Sequence, residues 1–246
     1  MTNISANTLF HFTRNINNLK DILKEGFKPN FCIEHWENIW DFSTDVEIPM
    51  VCFCDIPISQ LRNHINTYGK YAIGLTKEWA KLYEITPVLY THNNSSILRH
   101  YNKIIGNRRV SDDESISAYN SYRHVLQYIK PYEGKLPNND EIIRFYNERE
   151  WRYVPELDEE LHKNILPIPN NMNPLNDEQR ALLENNIKNK FLIFEPNDIR
   201  YIIVEKDKEI ADMVDYINDT FQDYSHKDVK LLTTRIISME HIEGDF

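Results

Sequence analysis

The first part of the chain alternates short apolar runs with segments of helical periodicity. LFHFT, from Leu9 to Thr13, predicts a short strand. The following segment places apolar residues at helical spacing from Ile16 to Leu23, which predicts a helix. Gly26 comes next, at the position where glycine commonly ends a helix, so we expect the helix to stop there.

The next block, residues 48–92, predicts further strands and helices. IPMVCFCDIPI is apolar almost throughout, which is typical of a buried strand. ISQLRNHINTYG predicts a helix closed by Gly69, KYAIGLT a strand, and KEWAKLY a short helix that opens at Thr76. TPVLYTH predicts another strand. FCIEHWENIWDF, residues 31–42, is aromatic and irregular, and it favours a covering loop or a short helix.

The second half of the chain is more polar and less regular. Residues 95–130 have a helical, polar pattern that predicts a helical insertion. NDEQRALLENNIKN predicts a helix with a capping signal at Asn176. FLIFEPNDIRYIIVE predicts two strands, EIADMVDYINDTF a helix and VKLLTTRIISMEHI a final strand. This order of elements predicts one α+β domain over residues 1–246, with mixed or split central sheets flanked by helices.

Composition and charge narrow the classes of function. The chain has 246 residues, of which 41% are hydrophobic and 12% aromatic, enough for a packed core. Its formal net charge of -10 gives no global attraction to nucleic acid, and the basic pair Arg108 and Arg109 is short. The absence of a leader or a membrane-length apolar run and the odd count of three cysteines predict a cytoplasmic protein without a membrane partner.

FYNEREWRYVP, residues 145–155, is the first candidate for chemistry. If it forms a strand, alternation places Glu148, Glu150 and Arg152 on one face. Such a face is either a solvated sheet edge with arginine counter-ions or a site in which two close carboxylates act together. His11 has the same two interpretations, a hydrogen-bonded core histidine or a fixed donor and acceptor with Thr13 on the same face.

The cysteines allow a metal hypothesis, which we disfavour. Cys32, His35, Cys52 and Cys54 could supply four zinc ligands. The two thiols of Cys52 and Cys54 share one face of an apolar strand, however, where cysteine packs as a small hydrophobic residue. Their spacing also differs from that of paired zinc knuckles. We expect no metal.

The order of the sequence blocks resembles the AbiGi family of abortive phage-resistance proteins. The resemblance runs from Leu9 to Pro155, and its most specific part is the block CFCDIP–H–YG–YAIGL–KEW. It is carried by LFHFT, NLKDILKEGF, MVCFCDIPISQLRNHINTYGKYAIGLTKEWA, PVLYTH and FYNEREWRYVP. Members are commonly described as antitoxins, so the resemblance implies a role in phage defence and a partner protein.

A more distant resemblance concerns catalysis. A histidine-bearing strand, a helix of the form NLxxIL(K)xG and a late strand with glutamate are similar to DarT-like ADP-ribosyltransferases. That resemblance implies an ADP-ribosyltransferase-like fold with NAD, as a substrate, in a cleft between two small sheets. Glu150 would then be the catalytic glutamate, and Glu148 would orient the acceptor. His11 would hold the ribose.

The same resemblance assigns further contacts to NAD. Thr13 and Arg14 would lie beside the cofactor. An aromatic ring would stack on the nicotinamide, and Tyr71 is favoured over Tyr68 and Phe53.

Two hypotheses of different classes follow. The first is an NAD-consuming enzyme that modifies protein or nucleic acid, or only hydrolyses NAD, and it predicts that His11 and Glu150 share one cleft. The second is a non-catalytic antitoxin or regulator that binds a partner protein, for which the acidic balance favours a basic partner surface. A zinc-stabilised structural protein is a third and weaker alternative.

Overall fold

The fold is built around one mixed β-sheet. The computed structural model of the protein describes residues 6–36, 44–92, 95–106, 121–122, 124–135, 141–157 and 176–245. Eight strands form the sheet, in the order β12-β11-β4-β1-β3-β10-β5, with β2 paired to β3. These strands are β1 (Thr8–Thr13), β2 (Asn30–Trp36), β3 (Thr44–Cys54), β4 (Tyr71–Thr76), β5 (Thr86–Pro87), β10 (Glu150–Tyr153), β11 (Ile199–Val204) and β12 (Ile236–Ser238).

The strand directions make the sheet mixed. β11 and β12 are parallel, whereas the other neighbours are antiparallel. Four short strands form two small sheets, a parallel pair of β6 and β7 and an antiparallel pair of β8 and β9. They span β6 (Leu89–Thr91), β7 (Ile129–Pro131), β8 (Gly134–Lys135) and β9 (Ile142–Ile143). The α+β class and the mixed sheet predicted from the sequence are confirmed.

Helices flank the sheet, and their ends follow local sequence signals. They are α1 (Ile16–Glu25), α2 (Arg62–Tyr68), α3 (Lys77–Leu82), α4 (Ser96–Gly106), α5 (Asp177–Ile187), α6 (Ile210–Thr220), α7 (His226–Thr233) and α8 (Met239–Asp245). Asn176 caps α5 with the reciprocal capping box that the sequence predicts, together with Gln179. Thr76 caps α3 by accepting from the amide of Trp79. Among the helices of the described residues, none has the length and apolar character needed to cross a membrane.

The two faces of the sheet carry different apolar clusters. The main core contains residues of β1, β3, β4, β11, α1 and α6, among them Leu19, Phe53 and Ile202. Alternation along β1 and β3 sends Phe10 and Cys54 to the opposite face, where a second cluster contains Ile48 and Met50 and a third contains Phe10 and Leu61. Buried polar groups lie where these last two clusters meet.

Backbone pairing is sparse at the centre of the sheet, between β1 and β3. β1 and β3 pair at Phe10 and Cys54 alone, although β1 pairs with β4 along its whole length. Beyond Phe10 the two strands form no further backbone pairs, and the side chain of His11 bridges them by a 2.8 Å hydrogen bond between Nδ1 and the carbonyl of Cys52. Side chains therefore replace backbone hydrogen bonds across this seam.

Several sequence predictions are wrong, and the first of the two strands predicted for FLIFEPNDIRYIIVE is reduced to an isolated bridge between Leu192 and Phe27. The stretch expected to be a covering loop or short helix begins with strand β2, because all seven of its residues pair antiparallel with β3. The final segment, expected to be one strand, contains α7, the short strand β12 and α8. α4 lies within the helical insertion predicted at 95–130, but the end of that segment enters strand β7, and residues 107–120 and 123 lie outside the described residues.

Candidate functional site

Glu148 and Glu150 come together through a turn and not through strand alternation. Residues Phe145–Glu148 form a 3-10 turn, and Arg149 then adopts a left-handed conformation with φ 45°. β10 begins only at Glu150. The predicted strand over the whole of FYNEREWRYVP is therefore wrong, but the turn buries Glu148 at 8% exposure beside Glu150 at 4%.

Lys130 of β7 joins the two carboxylates. Its Nζ lies 2.7 Å from Oε2 of Glu148 and also donates to Oε2 of Glu150. The lysine is itself buried, and its ammonium lies 5.2 Å from the centre of the Phe145 ring. One cation thus lies between two buried carboxylates, which offsets part of the repulsion that two such groups would have alone.

Arg152 extends the network along β10. Its Nε donates to Oε1 of Glu150, its Nη1 donates to the carbonyl of Gln127 at 2.7 Å, and its Nη2 donates to Oε1 of Glu34 at 2.8 Å. The guanidinium is fully buried. Every nitrogen of Arg152 therefore has an acceptor, and both oxygens of Glu150 have a cationic donor.

Two tyrosines complete the network from other elements. Tyr68, on the last turn of α2, donates to Oε1 of Glu148 at 2.5 Å. Tyr90, on β6, accepts a 2.8 Å hydrogen bond from the backbone N–H of Glu150. Burial and the neighbouring Glu148 raise the pKa of Tyr68, so its hydroxyl remains a donor. We call Glu34, Tyr68, Lys130, Glu148, Glu150 and Arg152 the charged network.

The electrostatics of the charged network keep Glu150 ionised. Burial alone would raise the pKa of its carboxyl, but Arg152 and Lys130 outweigh burial and lower that pKa to about 2. Burial would lower the pKa of Lys130, yet Glu150 and Glu148 raise it well above its usual value. Glu150 is therefore unsuited to general acid chemistry at neutral pH, whereas an ionised carboxylate can stabilise positive charge if its cations move aside.

The structure does not bring His11 to the two glutamates. Phe10, Cys54 and Glu150 are in register across β1, β3 and β10, so their side chains share one face of the sheet. His11 follows alternation to the other face, where its ring packs 5.1 Å from that of Phe27 and 5.7 Å from that of Phe53. The predicted cleft shared by His11 and Glu150 is therefore not formed.

The protonation state of His11 is also that of a buried core histidine. Burial lowers its pKa, and the hydrogen bond to the carbonyl of Cys52 offsets this only in part. The imidazole is therefore neutral at pH 7, with Nδ1 as the donor to that carbonyl.

The remaining predicted NAD contacts are spread over the fold. Tyr71 lies in the main core, and its hydroxyl donates to Glu209 at 2.9 Å, away from the charged network. Thr13 is buried opposite Tyr71 in the β1–β4 pair, and Arg14 is exposed. Of the three candidate rings for nicotinamide, Tyr68 is the one whose hydroxyl bonds to one of the two candidate catalytic glutamates, Glu148.

The cysteines pack as apolar groups. Cys32 and Cys52 line the second cluster, and Cys54 lines the third. The hydrogen bond to Cys32 and burial raise the pKa of Cys52, and burial followed by Glu148 raises that of Cys54, so both thiols stay protonated. Within the described part of the chain, no three His, Cys, Asp or Glu side chains group closely enough to hold a metal ion.

An exposed group of aromatic and cationic side chains lies next to the charged network. The ring of Tyr146 lies 5.4 Å from that of Tyr132 and 5.2 Å, edge-on, from that of Tyr90. The guanidinium of Arg144 lies 5.6 Å from the centre of the Tyr132 ring. Tyr146 is 47% exposed and Ile142 66%. We call Tyr132, Ile142, Arg144 and Tyr146 the aromatic surface.

Lys130, which bonds to both glutamates of the charged network, was not identified from the sequence. Lys130 is separated from Glu148 and Glu150 by 18 and 20 residues, so no local pattern links them. A signal did exist, because YIKPY places one lysine inside an apolar and aromatic run. Lysine is almost never fully buried without a partner, so such a residue in a strand-like run indicates a nearby carboxylate.

A family model and a known relative both match this chain, and they point to the same family. A family model described as "Putative abortive phage resistance protein AbiGi, antitoxin" matches residues 27–205. The abortive phage resistance protein AbiGi of Lactococcus lactis subsp. cremoris is 32% identical over 180 residues, which cover 64% of this chain and 72% of that relative. No solved structure matches the chain.

Proposed function

Since this chain belongs to the AbiGi family of abortive phage resistance proteins, we propose that it acts in phage defence as a non-catalytic antitoxin or regulator that binds a partner protein. The contact is made through the aromatic surface. Tyrosine and arginine dominate the energetics of protein interfaces, because they combine large apolar area with hydrogen-bonding groups. The net charge of -10 adds long-range attraction to a partner with a basic surface.

The observation that carries this proposal is the complete pairing of Glu150. Each of its carboxylate oxygens already accepts a hydrogen bond from a buried cation, so a substrate hydroxyl would have to compete with Lys130 and Arg152 for Glu150. The same 3-10 turn that sends Glu148 inward to Lys130 sends Tyr146 outward to the aromatic surface. The charged network therefore acts as the anchor of a binding turn, which lowers the entropy lost when the partner binds.

Site-specific photo-crosslinking tests the proposed surface. A photo-reactive amino acid replaces Tyr146 in cells that carry the native locus, and the cells are irradiated with and without phage. Tyr224, which is 40% exposed and lies between α6 and α7, is the matched control position. We expect one discrete protein adduct from position 146, identifiable by mass spectrometry, and none of the same mass from position 224.

Phage plating gives the functional counterpart of this test. We expect Tyr146→Ala to lose phage resistance while Tyr224→Ala retains it, with equal melting temperatures for the two purified proteins. Full resistance in Tyr146→Ala, together with no adduct specific to position 146, would contradict the proposed surface.

The seam between β1 and β3 favours a second candidate, an ADP-ribosyltransferase-like reaction that consumes NAD. Backbone pairing between the two strands is limited to Phe10 and Cys54, and Glu150 begins the strand next to β3. An ionised Glu150 is the form required to stabilise a positively charged ribose during loss of nicotinamide. This reaction requires Lys130 and Arg152 to release at least one oxygen of Glu150 when NAD binds.

Nicotinamide release separates the two candidates. The purified protein is incubated with NAD beside Glu150→Gln and His11→Ala variants whose fold is verified by circular dichroism. Release that disappears in Glu150→Gln supports the enzyme and removes the basis of the non-catalytic proposal. If the parent protein neither binds NAD nor releases nicotinamide from it, the enzyme candidate is excluded.

A further inference from the structure

A cavity of about 360 Å³ lies at the end of the sheet away from the charged network. Asn7 and Thr8 at the start of β1, Arg200 and Tyr201 on β11, and Thr234 and Arg235 before β12 line it. Its size is at the lower end of the range for small-molecule sites. Most of its lining side chains can donate hydrogen bonds, and two of them are cationic.

Arg200 reaches this cavity through an irregularity in the sheet. Ile199 pairs with Leu75 and Tyr201 with Gly74, so Arg200 is the extra residue of a β-bulge. A bulge turns a side chain away from the regular alternation, and bulges occur often beside functional sites for that reason. The bulge is thus a local feature that directs a guanidinium into the cavity.

Arg235 is held in place from behind. Its Nη1 donates to the carbonyl of Pro196 at 2.9 Å and also to the carbonyl of Ile199. No other described residue accepts a hydrogen bond from its Nε or Nη2, so these groups remain available to a ligand. The guanidinium is therefore positioned before any ligand binds, which lowers the ordering cost of binding.

The described part of the protein does not neutralise the two arginines. Among the described residues, no carboxylate forms an ion pair with Arg200 or Arg235. Burial lowers the pKa of Arg235, and the like charge of Arg200 nearby lowers it further. Two adjacent cations without an acid are unusual in a chain with a net charge of -10.

We propose that this cavity binds the phosphate group of a small phosphorylated ligand of about the size of a mononucleotide. Arg200 and Arg235 hold the phosphate oxygens, since the planar guanidinium matches phosphate geometry. The Asn7 amide and the Thr8 hydroxyl add neutral donors. The small volume and the acidic protein surface favour a single phosphorylated molecule over a nucleic acid strand.

Isothermal titration of the full chain tests this site with defined probes. AMP, ribose 5-phosphate, inorganic phosphate and adenosine are compared at low salt. We expect the phosphate-bearing probes to bind and adenosine not to bind. Arg200→Gln weakens binding by about tenfold or more, as expected for the loss of a charge-assisted hydrogen bond. Lys103→Gln, an exposed cation on α4, leaves the affinity unchanged.

The comparison of probes identifies the source of the phosphate. AMP binding more tightly than ribose 5-phosphate and inorganic phosphate assigns a nucleotide, and equal binding of all three assigns the phosphate group alone. Charge reversal in Arg200→Glu abolishes binding in either case. Adenosine binding as tightly as AMP, equal affinity in Arg200→Gln and the parent, or a short oligonucleotide binding more tightly than AMP would each overturn the proposal.

Discussion

At the scale of single residues, the buried charges depend on Lys130. It is the cation shared by Glu148 and Glu150, whereas Arg152 contacts Glu150 and Glu34. The network also lies where the second and third apolar clusters meet, since Cys52 belongs to one and Cys54 to the other. Water cannot easily replace a missing partner there, so each charge needs the others.

Replacement of Lys130 by methionine tests this dependence. Methionine keeps most of the apolar stem of lysine but carries no charge. The change therefore leaves two buried carboxylates without their shared cation. We expect the free energy of unfolding to fall by about 3–5 kcal/mol. Urea denaturation measures it, and Lys103→Met, at an exposed position of α4, is the control, which should change stability by no more than about 0.5 kcal/mol. A Lys130→Met protein as stable as the parent would show that the carboxylates do not need this cation.

The pKa of Glu150 predicts a dependence of stability on pH. Its folded value of about 2 lies below the unfolded value of 4.5. Its ionised form therefore adds stability above pH 4.5, and this contribution, about 3 kcal/mol, is lost as the pH falls towards 2. Urea denaturation from pH 7 to pH 3 should show a steep loss that Glu150→Gln reduces. Glu184→Gln, an exposed carboxylate on α5, should keep the parental slope.

At the scale of elements, sequence signals predicted the structure where they were local. α1 ends at Gly26, α2 at Gly69, and α5 begins after Asn176, all as predicted. α7 was missed although Ser225 caps it by accepting from the amide of Asp228, a serine-to-aspartate spacing that marks helix starts. β2 was missed for a different reason, because its pairing with β3 is a tertiary contact that overrides local propensity.

Gly69 gives a test of how α2 ends. Its φ of +113° is accessible to glycine, and an added Cβ would lie 2.3 Å from the carbonyl oxygen of Thr13. We expect Gly69→Ala to lower the free energy of unfolding by more than about 2 kcal/mol. Gly244→Ala is the matched control, since a Cβ at that position meets no atom within 4 Å. This control lies in α8 and should leave stability unchanged or raise it by at most about 1 kcal/mol. Equal effects of the two substitutions, measured by thermal unfolding, would contradict the argument.

At the scale of the whole molecule, the sequence predicted the fold class. It did not predict which residues far apart in the sequence would come into contact. The sheet joins strands from Thr8 to Ser238, and the charged network joins α2, β2, β7 and β10. Tyr68 and Glu148 are 80 residues apart, so their contact depends on the whole topology. For the same reason the distant resemblance, which implied one cleft for His11 and Glu150, did not anticipate that sheet register sends their side chains to opposite faces.

β1 and β3 share only one backbone pair. Side-chain packing therefore holds together the two halves of the sheet, one on the β1 side and one on the β3 side. Phe53 is fully buried on β3 and packs against the rings of His11, Phe27 and Trp79. The main core therefore spans the seam, although only Phe10 and Cys54 pair across it. We expect β4 and β10 to unfold together in the parent protein, with equal protection of their amides from hydrogen exchange.

Phe53→Ala should uncouple these halves, because it leaves a cavity at the point where side chains bridge the seam. We expect a loss of about 3–5 kcal/mol in stability, with protection of the β10 amides falling further than that of the β4 amides. Hydrogen exchange followed by mass spectrometry resolves the two strands, and Leu82→Ala, at an 82% exposed position, is the control that should change neither. An equal fall in both strands would mean that the single Phe10–Cys54 pair and the remaining core suffice to keep the sheet cooperative.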